Sequence, residues 1–117
     1  MKYRKYLVLL LLPLLLYGGI KIYQNRRIEI VSKLDESGIY QIKVMQIGSP
    51  EFPFGPVRCE VRLLQSGRTI NSSVMQLKND GKNLMEENFE ITFRENDCSI
   101  MVRCEEEEPF EIIWKYE

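Results

Sequence analysis

Fifteen consecutive residues, Tyr6 to Ile20 (YLVLLLLPLLLYGGI), carry no charge and sit between Lys5 and Lys21. A segment this apolar must be buried in lipid, buried in protein or removed. A basic start followed by an apolar run is the pattern of a secretory signal and equally of an uncleaved anchor. As a helix, such a run covers roughly 22 Å, short of a hydrocarbon core of about 30 Å. Lys5 and Lys21 close the gap by snorkelling, with methylenes in lipid and ammonium groups among the headgroups. Tyr3 to Tyr23 then gives a 21-residue span. Tyr3 and Tyr6 mark one interface of it and Tyr17 and Tyr23 the other. Pro13 kinks such a helix without excluding it from a membrane.

Cleavage after Gly18 or Gly19 would place Leu16 or Tyr17 at the −3 position, where a small side chain is required. No Cys follows the run to take a lipid. The expectation is therefore an uncleaved signal anchor, with a cleaved signal or a buried helix of a soluble protein as alternatives. Lys2, Arg4, Lys5 and the amino group precede the run, and Lys21, Arg26 and Arg27 follow it. The positive-inside balance favours a cytoplasmic N-terminus and a C-terminal domain outside the cell membrane.

Charge divides the chain at the same place. Residues 1–27 hold six Lys and Arg and no acid; residues 28–117 hold 10 basic against 17 acidic residues, a net of −7. Residues 1–27 are thus read as a basic-flanked anchor and 28–117 as one domain of 90 residues, enough for a single core. An acidic domain argues against nucleic acid and against lying flat on anionic lipid. The basic juxtamembrane residues are the part suited to anionic headgroups.

Within the domain, apolar residues recur with period two. Ile28–Val31 reads as a short strand or as helix continuing past the membrane. Tyr40–Ile47 follows, with Tyr40, Ile42 and Val44 on one face and Met45 and Ile47 asking for cover on the other. Val57, Cys59, Val61 and Leu63 alternate with Arg58, Glu60 and Arg62. Gln65–Arg68 reads as a hairpin turn into a weaker strand, Thr69–Leu77, whose polar Asn71-Ser72-Ser73 suits a bulge or an edge. Leu84–Asn88 allows one helical turn. Phe89–Phe93, Cys98–Cys104 and Phe110–Tyr116 complete the set. Phe89, Ile91, Phe93, Ile100, Val102, Ile112 and Trp114 are the expected core. Alternation with turns every 8–14 residues predicts an all-β antiparallel sandwich or small barrel of about six to seven strands, preceded by one transmembrane helix.

Ser37-Gly38-Ile39-Tyr40, the loop Gly48–Pro56, Asn79-Asp80-Gly81 and the closing Phe110–Trp114 together resemble small membrane-anchored or secreted β-domain proteins of Gram-positive bacteria. The resemblance implies an extracytoplasmic β domain and brings no catalytic or binding residue with it.

For chemistry the chain offers little. It has no His, the commonest general base and metal ligand, so no Ser has an imidazole partner. Glu105–Glu108 lacks the spacing of a calcium loop and reads as a solvated turn. Cys59, Cys98 and Cys104 all fall on the apolar parity of their strands; buried free thiols, or one disulfide with a thiol left over, are the two readings. No catalytic residue, cofactor or metal site is therefore expected, and the chain is not read as an enzyme.

The most specific feature is Gly48–Pro56 (GSPEFPFGP), where three Pro and two Gly in nine residues exclude helix and interior strand. Rigid prolines lower the entropy cost of presenting Phe52 and Phe54 to a partner, with Glu51 beside them. The competing reading folds both rings back over the core. Between the two rings, Phe52 is expected outside and Phe54 inside, because Phe54 lies nearer the strand at Val57. The expected function is a single-pass membrane protein whose acidic β domain is a binding module for a protein or cell-surface ligand. A structural subunit of a membrane complex, or a secreted protein after signal cleavage, are the alternatives.

Overall fold

The structure, a computed structural model, describes the backbone of residues 3–51 and 53–116 and their side chains apart from 3–8 and 10. Helix α1 (Tyr3–Gln24) leads into seven strands: β1 (Arg27–Leu34), β2 (Tyr40–Ile47), β3 (Val57–Gln65), β4 (Arg68–Leu77), β5 (Phe89–Phe93), β6 (Asp97–Val102) and β7 (Phe110–Lys115). The stretch at Ile28–Val31 is strand, not continued helix. Among the described residues no helix is long and apolar enough to cross a membrane. The expected span from Tyr3 to Tyr23 rests partly on Tyr3–Val8 and Leu10, whose side chains lie outside the described set.

The strands form two antiparallel meanders, β1-β2-β3-β4 and β5-β6-β7. Two separate sheets make this a sandwich-like fold and set the barrel alternative aside. The inner face of the larger sheet is Ile42 and Val44 of β2, Val57, Cys59, Val61 and Leu63 of β3, and Leu77 of β4, each essentially inaccessible. Phe89, Ile91, Cys98, Ile100 and Val102 meet them from the smaller sheet, with Leu84 joining from the connecting segment. Alternation put these side chains on one face because successive Cβ atoms of a strand point oppositely.

Three residues expected in the core are only half-buried. Phe93, Ile112 and Trp114 pack against the cluster without being enclosed by it. Ile112 and Trp114 lie on β7, an edge of the three-stranded sheet, where no neighbouring strand shields one flank. Phe93 is the last residue of β5. Met45 and Ile47, by contrast, are buried on the outer face as expected. Their register partners there are Arg27, Glu29, Arg58 and Glu60, whose long stems cover apolar surface.

β4 is an edge, and the pairing of β3 with β4 shifts between Leu63 and Leu64, next to the polar Asn71-Ser72-Ser73. The expected helical turn is a single 3-10 turn, Glu86–Asn88. The three cysteines are free thiols; Cys59 and Cys98 are buried and Cys104 half-buried. The loops sort into two groups. Residues 48–51, 53–56, 78–88 and 103–109 gather at the end where α1 enters, and 35–39, 66–67 and 94–96 gather at the far end.

Candidate functional site at the helix–sandwich junction

The C-terminus of a helix leaves carbonyl oxygens without intrahelical donors. Here β3 supplies one: Arg58 donates from Nη2 to the Gln24 carbonyl (2.5 Å) and from Nη1 to Asn25 Oδ1 (3.2 Å). A cation at this end also suits the helix dipole. Asn25 closes the last turn by donating Nδ2–H to the Lys21 carbonyl (2.9 Å).

Gly48, the first residue after β2, donates its N–H to the Arg26 carbonyl at 2.7 Å. It holds φ +68°, and a Cβ built there would overlap the Gln24 carbonyl oxygen. Only glycine satisfies both the left-handed backbone and the close approach of the helix end. The Pro-Phe loop therefore begins pinned to α1.

Its far side is pinned as well. Glu51 N–H donates to the Pro56 carbonyl (3.1 Å) and Gly55 N–H to the Glu51 carbonyl (2.8 Å), closing the loop on itself. Gly81, at φ +70° in the Asn79–Lys82 turn, would carry its Cβ 2.5 Å from the Pro53 carbonyl oxygen. The absent side chain lets the two loops touch.

Buried amides knit this end together. Gln46 (2% exposed) donates to the Gly48 carbonyl and to Asn83 Oδ1 and accepts from the Leu84 N–H, all at 2.8–2.9 Å. Buried Asn79 donates to the Lys82 and Asn83 carbonyls and accepts from the Glu105 N–H. The acidic turn is engaged with its surroundings: Glu105 pairs with Lys82 at 2.8 Å, and Glu107 accepts from the Lys78 N–H at 2.7 Å.

The three residues singled out for contact divide as follows. Glu51 is exposed, as expected. Phe54 is 69% exposed, which corrects the expectation that it is the inner ring. The Gly81 turn occupies the inner side of Pro53 and Phe54 with backbone, leaving the ring to point away. Phe52 lies outside the described residues. Between the loop and α1 runs a notch of about 690 Å³, lined by Leu15, Leu16, Gly19, Ile20 and Tyr23 on one wall and Ser49, Pro50 and Glu51 on the other.

On the outer face of the larger sheet, Glu60 is 5% exposed yet charged. Arg62 donates to it at 2.8 and 3.1 Å and Arg27 at 3.1 Å. The Arg62 hydrogen bonds hold its carboxyl below the usual carboxylate range against the opposing effect of burial. Arg27 opens β1 directly after the helix, so this cluster also braces the junction.

Burial pushes the Cys59 thiol up to about 12 and those of Cys98 and Cys104 to about 11. None is a thiolate near neutrality, so none is poised as a nucleophile. At the far end of the sandwich, Tyr40 and Tyr116 stack with ring centroids 3.8 Å apart and planes 8° from parallel. Burial raises the Tyr116 hydroxyl to about 12, and it finds no hydrogen-bond partner among the described residues. A shallow hollow of about 480 Å³, walled by Asp35, Glu36, Phe93, Arg94 and Glu95, opens beside it.

Alternation assigns Arg58 and Glu60 to solvent and Asn79 to a turn, so none stood out as a contact residue; Gln46 shares the inward parity of Ile42 and Val44 but has no apolar character to mark it. The one signal for them was Gly48 and Gly81, two glycines flanking turns at the same end. No protein-family model matches the chain, and no curated protein or solved structure matches it either.

Proposed function

We propose that the chain is a single-pass membrane protein, anchored through Tyr3–Tyr23 with its N-terminus in the cytoplasm. The sandwich stands outside as a binding module. Its contact surface is the Pro-Phe loop, with Glu51, Phe52 and Phe54 as the contact residues. This keeps the kinship with membrane-anchored or secreted β-domain proteins of Gram-positive bacteria as part of the proposal.

The observation that carries it is the exposed Phe54 ring on a loop fixed at both flanks, beside the helix end. A large aromatic costs little to present when its backbone is already ordered, and such rings dominate interface energetics. The location also says which way the surface looks. A loop alongside the last turns of α1 faces the plane in which the helix is embedded, so its partner is something lying at the membrane surface.

Two measurements on intact cells test this. The chain is expected to stay with membranes through alkaline carbonate extraction, and protease added outside is expected to trim the sandwich. Release by carbonate, or protection until lysis, overturns the anchor or its orientation. In the purified full chain, Phe54→Ala is expected to shift the thermal midpoint by no more than about 1 °C, because an exposed ring contributes little to folding. A drop of several degrees would make the ring a structural cap instead.

A further inference from the structure

The notch between α1 and the Pro-Phe loop has a composition that goes beyond a generic contact surface. Leu15, Leu16, Gly19 and Ile20 make one wall aliphatic, and Gly19 leaves a gap in it: a Cβ there would meet nothing within 4 Å. Towards the sandwich the lining turns polar, with Tyr23, Gln24, Ser49 and Glu51. The Arg26 guanidinium lies 3.8 Å from the Tyr23 ring centroid and so stands at this rim. Among the described residues, which form six ion pairs, neither Arg26 nor Glu51 has an ion-pair partner. The apolar slot thus has Glu51 in its lining and, against the lining residue Tyr23, the Arg26 guanidinium, which also donates to the Tyr23 carbonyl at 3.3 Å: one anion and one cation, neither in an ion pair among the described residues.

We propose that this notch seats one bilayer phospholipid with a zwitterionic, ammonium-bearing headgroup. An acyl chain lies along Leu15, Leu16, Gly19 and Ile20, the phosphate meets Arg26, and the ammonium meets Glu51. The proposal rests on the membrane anchor proposed above. Charge selects the headgroup. A purely anionic headgroup satisfies Arg26 and is repelled by Glu51, whereas a phosphate bearing an ammonium satisfies both. The apolar wall is continuous with the segment that would already lie among acyl chains, so an acyl chain enters it without leaving hydrocarbon.

The test uses the full chain reconstituted into phosphatidylcholine vesicles. These carry a few per cent of a photoactivatable phosphatidylethanolamine or, separately, phosphatidylglycerol with the same acyl chains. Labelling is expected to favour the ethanolamine probe by roughly fivefold, the discrimination given by one partly solvated charge contact. The adducts should map to residues 15–24 and 49–51. Glu51→Gln is expected to abolish that preference. Gly19→Leu, which fills the slot from an open position, is expected to reduce labelling by both probes while the protein stays in the vesicles. Equal labelling by the two probes, or a preference that survives Glu51→Gln, overturns the lipid seat. Adducts on a partner protein have no place in this purified system, so labelling reports the lipid alone. Carbonate extraction of the same vesicles separates the two ideas. A protein that washes off takes the anchor down with the seat; one that is retained but labelled without preference takes down only the seat.

Discussion

Glu60 shows how one side chain links charge, burial and pH. It is a carboxylate almost removed from water and tolerated there because two guanidinium groups donate to it. Its folded-state pKa is depressed, so its contribution is fully present above the unfolded value of about 4.3 and is lost as pH falls through the lower folded value. Denaturant midpoints measured from pH 6 downward should therefore fall more steeply for the native chain than for Glu60→Gln. At neutral pH, Glu60→Gln should cost about 1–2 kcal/mol, in the range for hydrogen bonds to charged groups whose donors remain partly in water. Parallel pH profiles for the two proteins would mean that solvent already screens the cluster.

At the scale of elements, the helix cap and the two sheets make separate predictions. Arg58→Ala leaves the Gln24 carbonyl without its donor and loosens α1 from β3. A loss of about 1–2 kcal/mol from local opening corresponds to roughly 5- to 30-fold faster cleavage at Arg26 or Arg27 by a trypsin-like protease, while the sandwich melts nearly as before. Cleavage at the native rate would show that Gly48 alone holds the helix end. In the smaller sheet, Ile100 on the central strand is wholly buried, whereas Trp114 on edge strand β7 is half-buried. Ile100→Ala should cost about 3–4 kcal/mol and Trp114→Ala about 2, despite the larger side chain removed. Chemical denaturation of both variants checks the order; the reverse order would place the centre of the core under β7.

For the whole molecule, one apolar cluster takes residues from both sheets, and the buried amides Gln46 and Asn79 bind the loops that join them. Neither sheet has a private core, so they should unfold together. Trp114 fluorescence, which reports the smaller sheet, and amide exchange at Val44 and Val61, which reports the larger, should give the same unfolding free energy. Two distinct values would mean the meanders are separately stable. The molecule is 70 Å long but only 34 and 18 Å in its other dimensions, because α1 projects from one end of the sandwich. That shape separates a junction end, where the loop and the notch lie, from a far end built on the Tyr40–Tyr116 stack.

Much of this was legible in the residues themselves. Tyr40–Ile47 and Phe89–Phe93 have the bounds that alternation gave them, since side-chain direction in a strand depends only on position parity. The same parity put Ile42, Val44, Cys59, Val61 and Ile100 inside, and the polar run at Asn71-Ser72-Ser73, which suits a bulge or an edge, lies on edge strand β4 beside a register shift. Parity is a local property, however, and edges are not: whether Trp114 has a neighbour on each flank depends on how many strands the sheet contains. The same limit reversed Phe54. Its place in the chain pointed toward the sheet at Val57, but the turn at Gly81, 27 residues later, fills that space with backbone. Arg58 alternated like any solvent-facing strand residue until the fold brought a helix end beside it. What the sequence determined was the apolar segment, the strands and the face each residue takes. What only the tertiary structure decided was which polar groups meet across the junction, because those contacts join residues more than 30 positions apart whose pairing leaves no periodic trace.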